Sequence, residues 1–229
     1  MHLLLLHGAL GARTQFDALR PLLDPAWSVL APDLEGHGAR ALTGGRPFRI
    51  EHFAENARDH LAEHGVTRAA IFGYSMGGYV ALHLAATHPA LVSHVVTLGT
   101  RLAWTREAAE RECAQLDAAT LMEKVPRFAV ALAERHTGAG WECVLRETAG
   151  LLRALGERPP LTPEVLRAIS CPTRLMVGDR DATVTLEEAR DAARALPRGE
   201  LEVLPGTPHP FEKVRLERVA RAIGEVLGA

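Results

Sequence analysis

The segment GYSMGG, residues 73–78, sets Ser75 in a GxSxG pattern with a further glycine, Gly78, behind it. Glycine inside regular structure costs about 0.5–1 kcal/mol relative to alanine, so three glycines around one serine point to a demand of geometry rather than of stability. A short apolar run precedes the pattern and a longer one follows it. This reads as a strand, a tight turn and a helix, with the hydroxyl pushed out at the carboxyl end of a sheet and the helix N-terminus directed at any anion that forms beside it.

A serine hydroxyl is a weak nucleophile at neutral pH and needs a base within hydrogen-bond reach, held in turn by an orienting group. Among eleven histidines, His209 in LPGTPHPFEKV is the candidate base, because it lies after the last apolar run and before the final helical stretch. His37 in PDLEGHG is its rival. For the acid, LMVGDRDATVT places Asp179 and Asp181 just past another strand. Asp181 is preferred, while Asp179 is expected to brace the loop through backbone hydrogen bonds. His60 and His64 stand four apart without an HExxH arrangement and read as a solvated helix face, so no metal site is expected. No lysine follows the serine motif as in a phosphate-binding loop, and there is no GxGxxG after a strand.

Positioning such groups requires an ordered framework. Short, nearly continuous apolar runs recur at 3–6, 28–31, 69–72, 94–98, 174–177 and 201–204. Runs of this kind suit strands covered on both faces, and their alternation with helical patterns predicts an α/β architecture: a mostly parallel sheet of about six strands with helices on both sides. Helices are expected at 14–23, 50–64, 78–87, 186–196 and 213–227. Between 101 and 170 the rhythm breaks into amphipathic stretches near 105–119, 120–136, 141–155 and 162–169. This is read as a helical cap inserted into a core formed by 1–100 and 171–229. Its ten basic and ten acidic residues cancel, so it is no charged clamp.

The chain has 229 residues and a net charge of −2, enough for one sizeable core and without the basic excess that recruits nucleic acid or an anionic bilayer. Three scattered cysteines, Cys113, Cys143 and Cys171, lack the spacing of a disulfide framework or a zinc knuckle. No segment reaches the roughly 18 apolar residues of a membrane span, and the opening MHLLLLHG lacks a basic flank and a cleavage site, which places the expected location in the cytoplasm.

Taken together, these motifs resemble the α/β-hydrolase fold superfamily over essentially the whole chain. The order Ser75, Asp181, His209 follows that superfamily's order of nucleophile, acid and base, and Asp181 takes the fourth position of its GxxD. LLLHGALG, residues 4–11, resembles the family's HGxxG loop. By that resemblance the backbone N–H groups of Ala9 and Met76 form an oxyanion hole, with Leu10 as the fallback donor, while the PDLEGHG loop and His7 play structural parts. The sequence opens directly on the 3–6 run, where many relatives begin with antiparallel strands, and Pro208 stands where they often have glycine.

The resemblance implies a serine hydrolase of small to medium carboxylic esters that needs no cofactor. Carbon–carbon bond hydrolases, lactonases and lyases with the same triad are the alternative, and a non-catalytic receptor on this scaffold is a third reading. Trp104, Met122, Phe128 and Trp141 are the expected apolar pocket wall, with Leu10 beside them. Arg101 is the polar contact, and facing inward it would favour a substrate bearing a carboxylate. The expected partner is a small molecule, with neither nucleic acid nor membrane, and the chain is expected to act as a monomer or homodimer.

Overall fold

Leu3 and Leu5 of the first strand pack to one side of the sheet and Leu4 and Leu6 to the other, all essentially without solvent exposure. The third strand divides in the same way, with Ala69 and Ile71 on one face and Ala70, Phe72 and Tyr74 on the other. Side chains alternate across a strand, so an unbroken apolar run is what a strand buried on both faces requires.

The computed structural model describes residues 1–228. Its strands are β1 His2–Leu6, β2 Ser28–Leu30, β3 Ala69–Tyr74, β4 Val92–Leu98, β5 Thr173–Gly178 and β6 Gly199–Leu204. They form one six-stranded sheet in the order β2-β1-β3-β4-β5-β6, parallel throughout. The order reverses next to β1, so the crevice at the carboxyl ends of β1 and β3 is where an open parallel sheet takes its ligands. On one face, α1 (Ile50–Glu63) and α2 (Met76–Thr87) cover the sheet, with residues of α8 (Leu186–Ala195) joining that core. α9 (Leu216–Leu227) covers the other face together with Phe16, Leu19 and Phe211.

Between β4 and β5 the described residues form only helices: α3 Arg106–Cys113, α4 Ala118–Lys124, α5 Pro126–Arg135, α6 Trp141–Glu157 and α7 Pro163–Arg167. Prolines account for two differences from the sequence-based expectation. The helix expected over 120–136 is divided at Val125, with Pro126 opening α5; a proline has no N–H to give to the preceding turn and suits only a helix start. The helix expected over 14–23 is instead two short 3₁₀ turns, Arg13–Phe16 and Arg20–Leu22, the second holding Pro21. The last predicted helix is likewise shortened to a 3₁₀ turn at Phe211–Lys213 followed by α9.

Candidate active site

β3 ends at Tyr74 and α2 begins at Met76, so Ser75 alone carries the turn, with φ 51° and ψ −116°. Among the described residues it is the sole non-glycine with positive φ, a strain of order 1–3 kcal/mol. The turn is held from both sides. The Ser75 N–H donates to the Leu98 carbonyl at 2.8 Å, and the Ser75 carbonyl receives the Thr100 hydroxyl at 3.0 Å. The glycines answer to close approach: a Cβ on Gly73 would meet the Gly77 backbone, and one on Gly77 would meet the Leu6 carbonyl.

His209 follows β6, and its Nδ1–H donates to Asp181 Oδ2 at 2.8 Å. The Asp181 side chain is only 2% exposed, and its other oxygen accepts the N–H groups of Thr183 at 2.7 Å and Val184 at 2.9 Å. Burial pushes this carboxyl up, but the hydrogen bond and charge of His209, with the two backbone donors, more than offset it and hold the group below the usual carboxylate range. Asp179 plays a different part. Its Oδ1 accepts the Thr207 N–H at 3.2 Å and so braces the loop that leads to His209. The Tyr74 hydroxyl donates to the His209 carbonyl at 2.9 Å, tying that loop to the strand that carries Ser75. With these ties the histidine is oriented even though Pro208 and Pro210 flank it.

The other two histidines of the N-terminal motifs are structural. The His7 Nδ1–H donates to the Gly8 carbonyl at 2.9 Å, and its Nε2 accepts the Leu34 N–H at 3.1 Å; burial lowers its pKa to about 4. His37 is fully buried, stacked on Phe48 with ring centroids 4.8 Å apart. The Gly8–Gly11 turn that follows β1 is closed by the Gly11 N–H donating to the Gly8 carbonyl at 3.0 Å. The N–H groups of Ala9, Leu10 and Met76 have no protein acceptor among the hydrogen bonds of the described residues.

Ser75, Met76 and His209 open onto a cavity of 610 Å³, together with Ala9, Leu10 and the helices of the 101–170 segment. No hydrogen bond joins Ser75 and His209 among the described residues; such contacts are often long until substrate is bound. Of the expected wall residues, Leu10, Arg101, Trp104 and Phe128 line the cavity, whereas Met122 and Trp141 do not. Met122 is half exposed on α4, where its neighbour Leu121 takes the cavity side, and Trp141 opens α6 away from the cavity lining. Arg101 faces inward, but Glu112 lies 3.4 Å from it and its guanidinium also donates to the Thr183 carbonyl.

Several contributors carry little or no signal in the sequence. Thr148, Leu151, Leu152 and Leu155 of α6 line the cavity at spacings of three and four, one helical face. That stripe is visible as amphipathicity, but nothing in the sequence says which partner it covers. Gln15, whose Oε1 accepts the Gly8 N–H at 3.0 Å, has no sequence signal at all. His60, Glu63 and His64 do come together at the end of α1, on an exposed surface and away from the cavity.

The sequence profile of the alpha/beta hydrolase family matches residues 3–222. The chain belongs to that family. Over 85 residues this α/β hydrolase is 46% identical to a pimeloyl-(acyl-carrier protein) methyl ester esterase of Neisseria meningitidis serogroup C; the match takes in 37% of this chain and 31% of the esterase, so the chain spans under a third of that relative's length. A thermophilic esterase from Thermogutta terrifontis, solved with malate bound, superposes with a TM-score of 0.77 at 28% identity, covering 100% of this chain and 89% of that one. The 2-hydroxy-6-oxo-6-phenylhexa-2,4-dienoate hydrolase of Rhodococcus sp. strain RHA1 superposes with a TM-score of 0.83 at 20% identity over 100% and 90% of the chains; that likeness is one of fold.

Proposed function

We propose that this α/β hydrolase cleaves small to medium carboxylic esters through Ser75, His209 and Asp181. The observation that carries the reading is the oriented imidazole. With Nδ1–H given to Asp181 at 2.8 Å, the Nε2 lone pair is left for the cavity that Ser75 also lines. In the first step the Ser75 oxygen bonds to the ester carbonyl carbon while its proton passes to His209 Nε2. The free N–H groups of Ala9 and Met76 receive the oxyanion, each such donor being worth about 2.7–4 kcal/mol in the transition state. Collapse breaks the bond to the alcohol, which leaves with the proton from His209. Water then attacks the acyl-enzyme by the same route, and the acid departs.

The 101–170 helices act as the cap that closes the cavity over the acyl group. The esterase relatives support an ester substrate; neither lends this chain its own compound. A fluorophosphonate probe and a panel of p-nitrophenyl esters test the proposal. The expected result is covalent labelling at Ser75 and ester turnover, both absent in Ser75→Ala. An unlabelled, inactive wild type that still binds small molecules would instead indicate a receptor. Release of two carbon fragments from a vinylogous diketone, without ester turnover, would shift the assignment to carbon–carbon cleavage.

A further inference from the structure

Three buried side-chain donors around the cavity have no partner: Arg101 Nε–H, the Trp104 indole N–H and the Thr148 hydroxyl. Each is costly to leave unpaired, because a buried polar group has given up its hydrogen bonds to water. Arg101 and Trp104 adjoin one another, the guanidinium carbon lying 5.3 Å from the indole centroid. Their place is fixed by Glu188 at the start of α8, whose Oε1 accepts the N–H groups of Leu102 at 3.0 Å and Ala103 at 3.3 Å. Thr148 reaches the same cavity from α6 and is 1% exposed.

Guanidinium and indole nitrogens can only donate, so what they lack is an acceptor. The charge around them argues against a carboxylate. Arg101 is opposed by Glu112 at 3.4 Å, and the ionised side chains lining the cavity, Arg101 and Arg135 against Glu112 and Glu212, balance. A buried carboxylate would lose its hydration without a net positive field to replace it, whereas a neutral carbonyl needs only donors.

We propose that Arg101, Trp104 and Thr148 form a subsite for an uncharged carbonyl oxygen in the substrate, remote from the ester that reacts at Ser75, so that the preferred substrates are oxo-esters or diesters rather than plain fatty acyl esters. This rests on the hydrolase reading above and deepens it.

The test compares p-nitrophenyl octanoate with its 5-, 6- and 7-oxo derivatives and with the p-nitrophenyl monoester of octanedioic acid. The best oxo-ester is expected to exceed octanoate in kcat/KM by about tenfold, the free-carboxylate ester to fall below both, and the oxo preference to drop to about unity in Trp104→Phe and Thr148→Val. Thr148→Val is also expected to melt no lower than wild type, because it removes an unpaired hydroxyl at constant shape. A wild type that ignores the ketone, or that prefers the carboxylate, overturns the subsite, as does a preference that survives in both variants. Calorimetric binding of methyl 6-oxooctanoate and methyl octanoate to Ser75→Ala keeps the two readings apart. Ester turnover without ketone discrimination removes the subsite alone; ketone discrimination in binding, with no turnover of any ester, removes the hydrolase reading alone.

Discussion

Ser75 occupies a conformation that an L-residue adopts only under constraint, and the constraint is identifiable: carbonyl and N–H ties to Leu98 and Thr100, with glycine backbone packed too close for any Cβ. Relieving the strain should therefore be visible in stability. Ser75→Gly is expected to melt a few degrees above Ser75→Ala, since glycine alone adopts positive φ freely, while neither reacts with a fluorophosphonate; equal melting temperatures would mean the turn is not strained. The same scale decides the catalytic grouping. Ser75→Ala, His209→Ala and the double variant should fall to nearly one residual rate, because members of a single proton-transfer unit do not add. Asp181→Asn should cost on the order of 10³–10⁴ in kcat. Asp179→Asn, which keeps an oxygen able to accept the Thr207 N–H, should cost far less. The reverse order would move the acid.

At the scale of elements, the loop bearing Ala9 is held by a helix distant in sequence. The Leu10 carbonyl accepts Arg135 Nη1–H at 2.7 Å and His136 Nε2–H at 3.1 Å, and His136 Nδ1 accepts the Gly38 N–H at 3.0 Å. The end of α5 thus clamps the turn that presents the proposed oxyanion donor. His136→Phe preserves the edge-on packing against His37, now 5.7 Å between centroids, but removes both bonds. It should lower kcat about tenfold or more with KM little moved, and destabilise the fold by about 1–3 kcal/mol from the orphaned Gly38 N–H, the Leu10 carbonyl keeping Arg135; a change confined to KM would make His136 a packing residue only. This clamp is illegible in the sequence, whereas Ser75, Asp181 and His209 are readable. The three each stand at a strand end marked by glycine or by a helix start, and strand ends follow from apolar runs. His136 and Thr148 matter through the face a helix turns toward a distant loop, which periodicity shows but does not assign. Met122 and Trp141 miss the cavity for the same reason: α4 and α6 present other residues to it.

For the whole molecule, the consequence of this packing is a buried histidine cluster that joins both N-terminal loops to the helices between β4 and β5. His7 and His37 lie with ring centroids 5.0 Å apart, and all three rings, His136 included, are at most 1% exposed. Burial is the main cause that lowers each of their pKa values, to about 4 for His7 and well below the usual value for His37. Neighbouring Asp33 pulls His7 and His136 up and Arg135 pulls them down, and neither reverses the sign. In the unfolded chain each ring binds its proton near pH 6.5. Between there and about pH 4 the unfolded state therefore holds more protons than the folded one, and stability must fall as pH falls, by about 1.4 kcal/mol per pH unit for each proton not taken up. Above pH 7 the term is flat. Asp181 adds its own loss only further down, as its depressed carboxyl is protonated. Denaturant unfolding at pH 7, 6, 5 and 4.5 should thus show a steep decline in this window that is shallower by about one proton in His37→Asn, which can keep a donor for the Glu35 carbonyl now bonded by Nδ1 at 3.1 Å. An identical slope in variant and wild type would place the acid sensitivity outside this cluster.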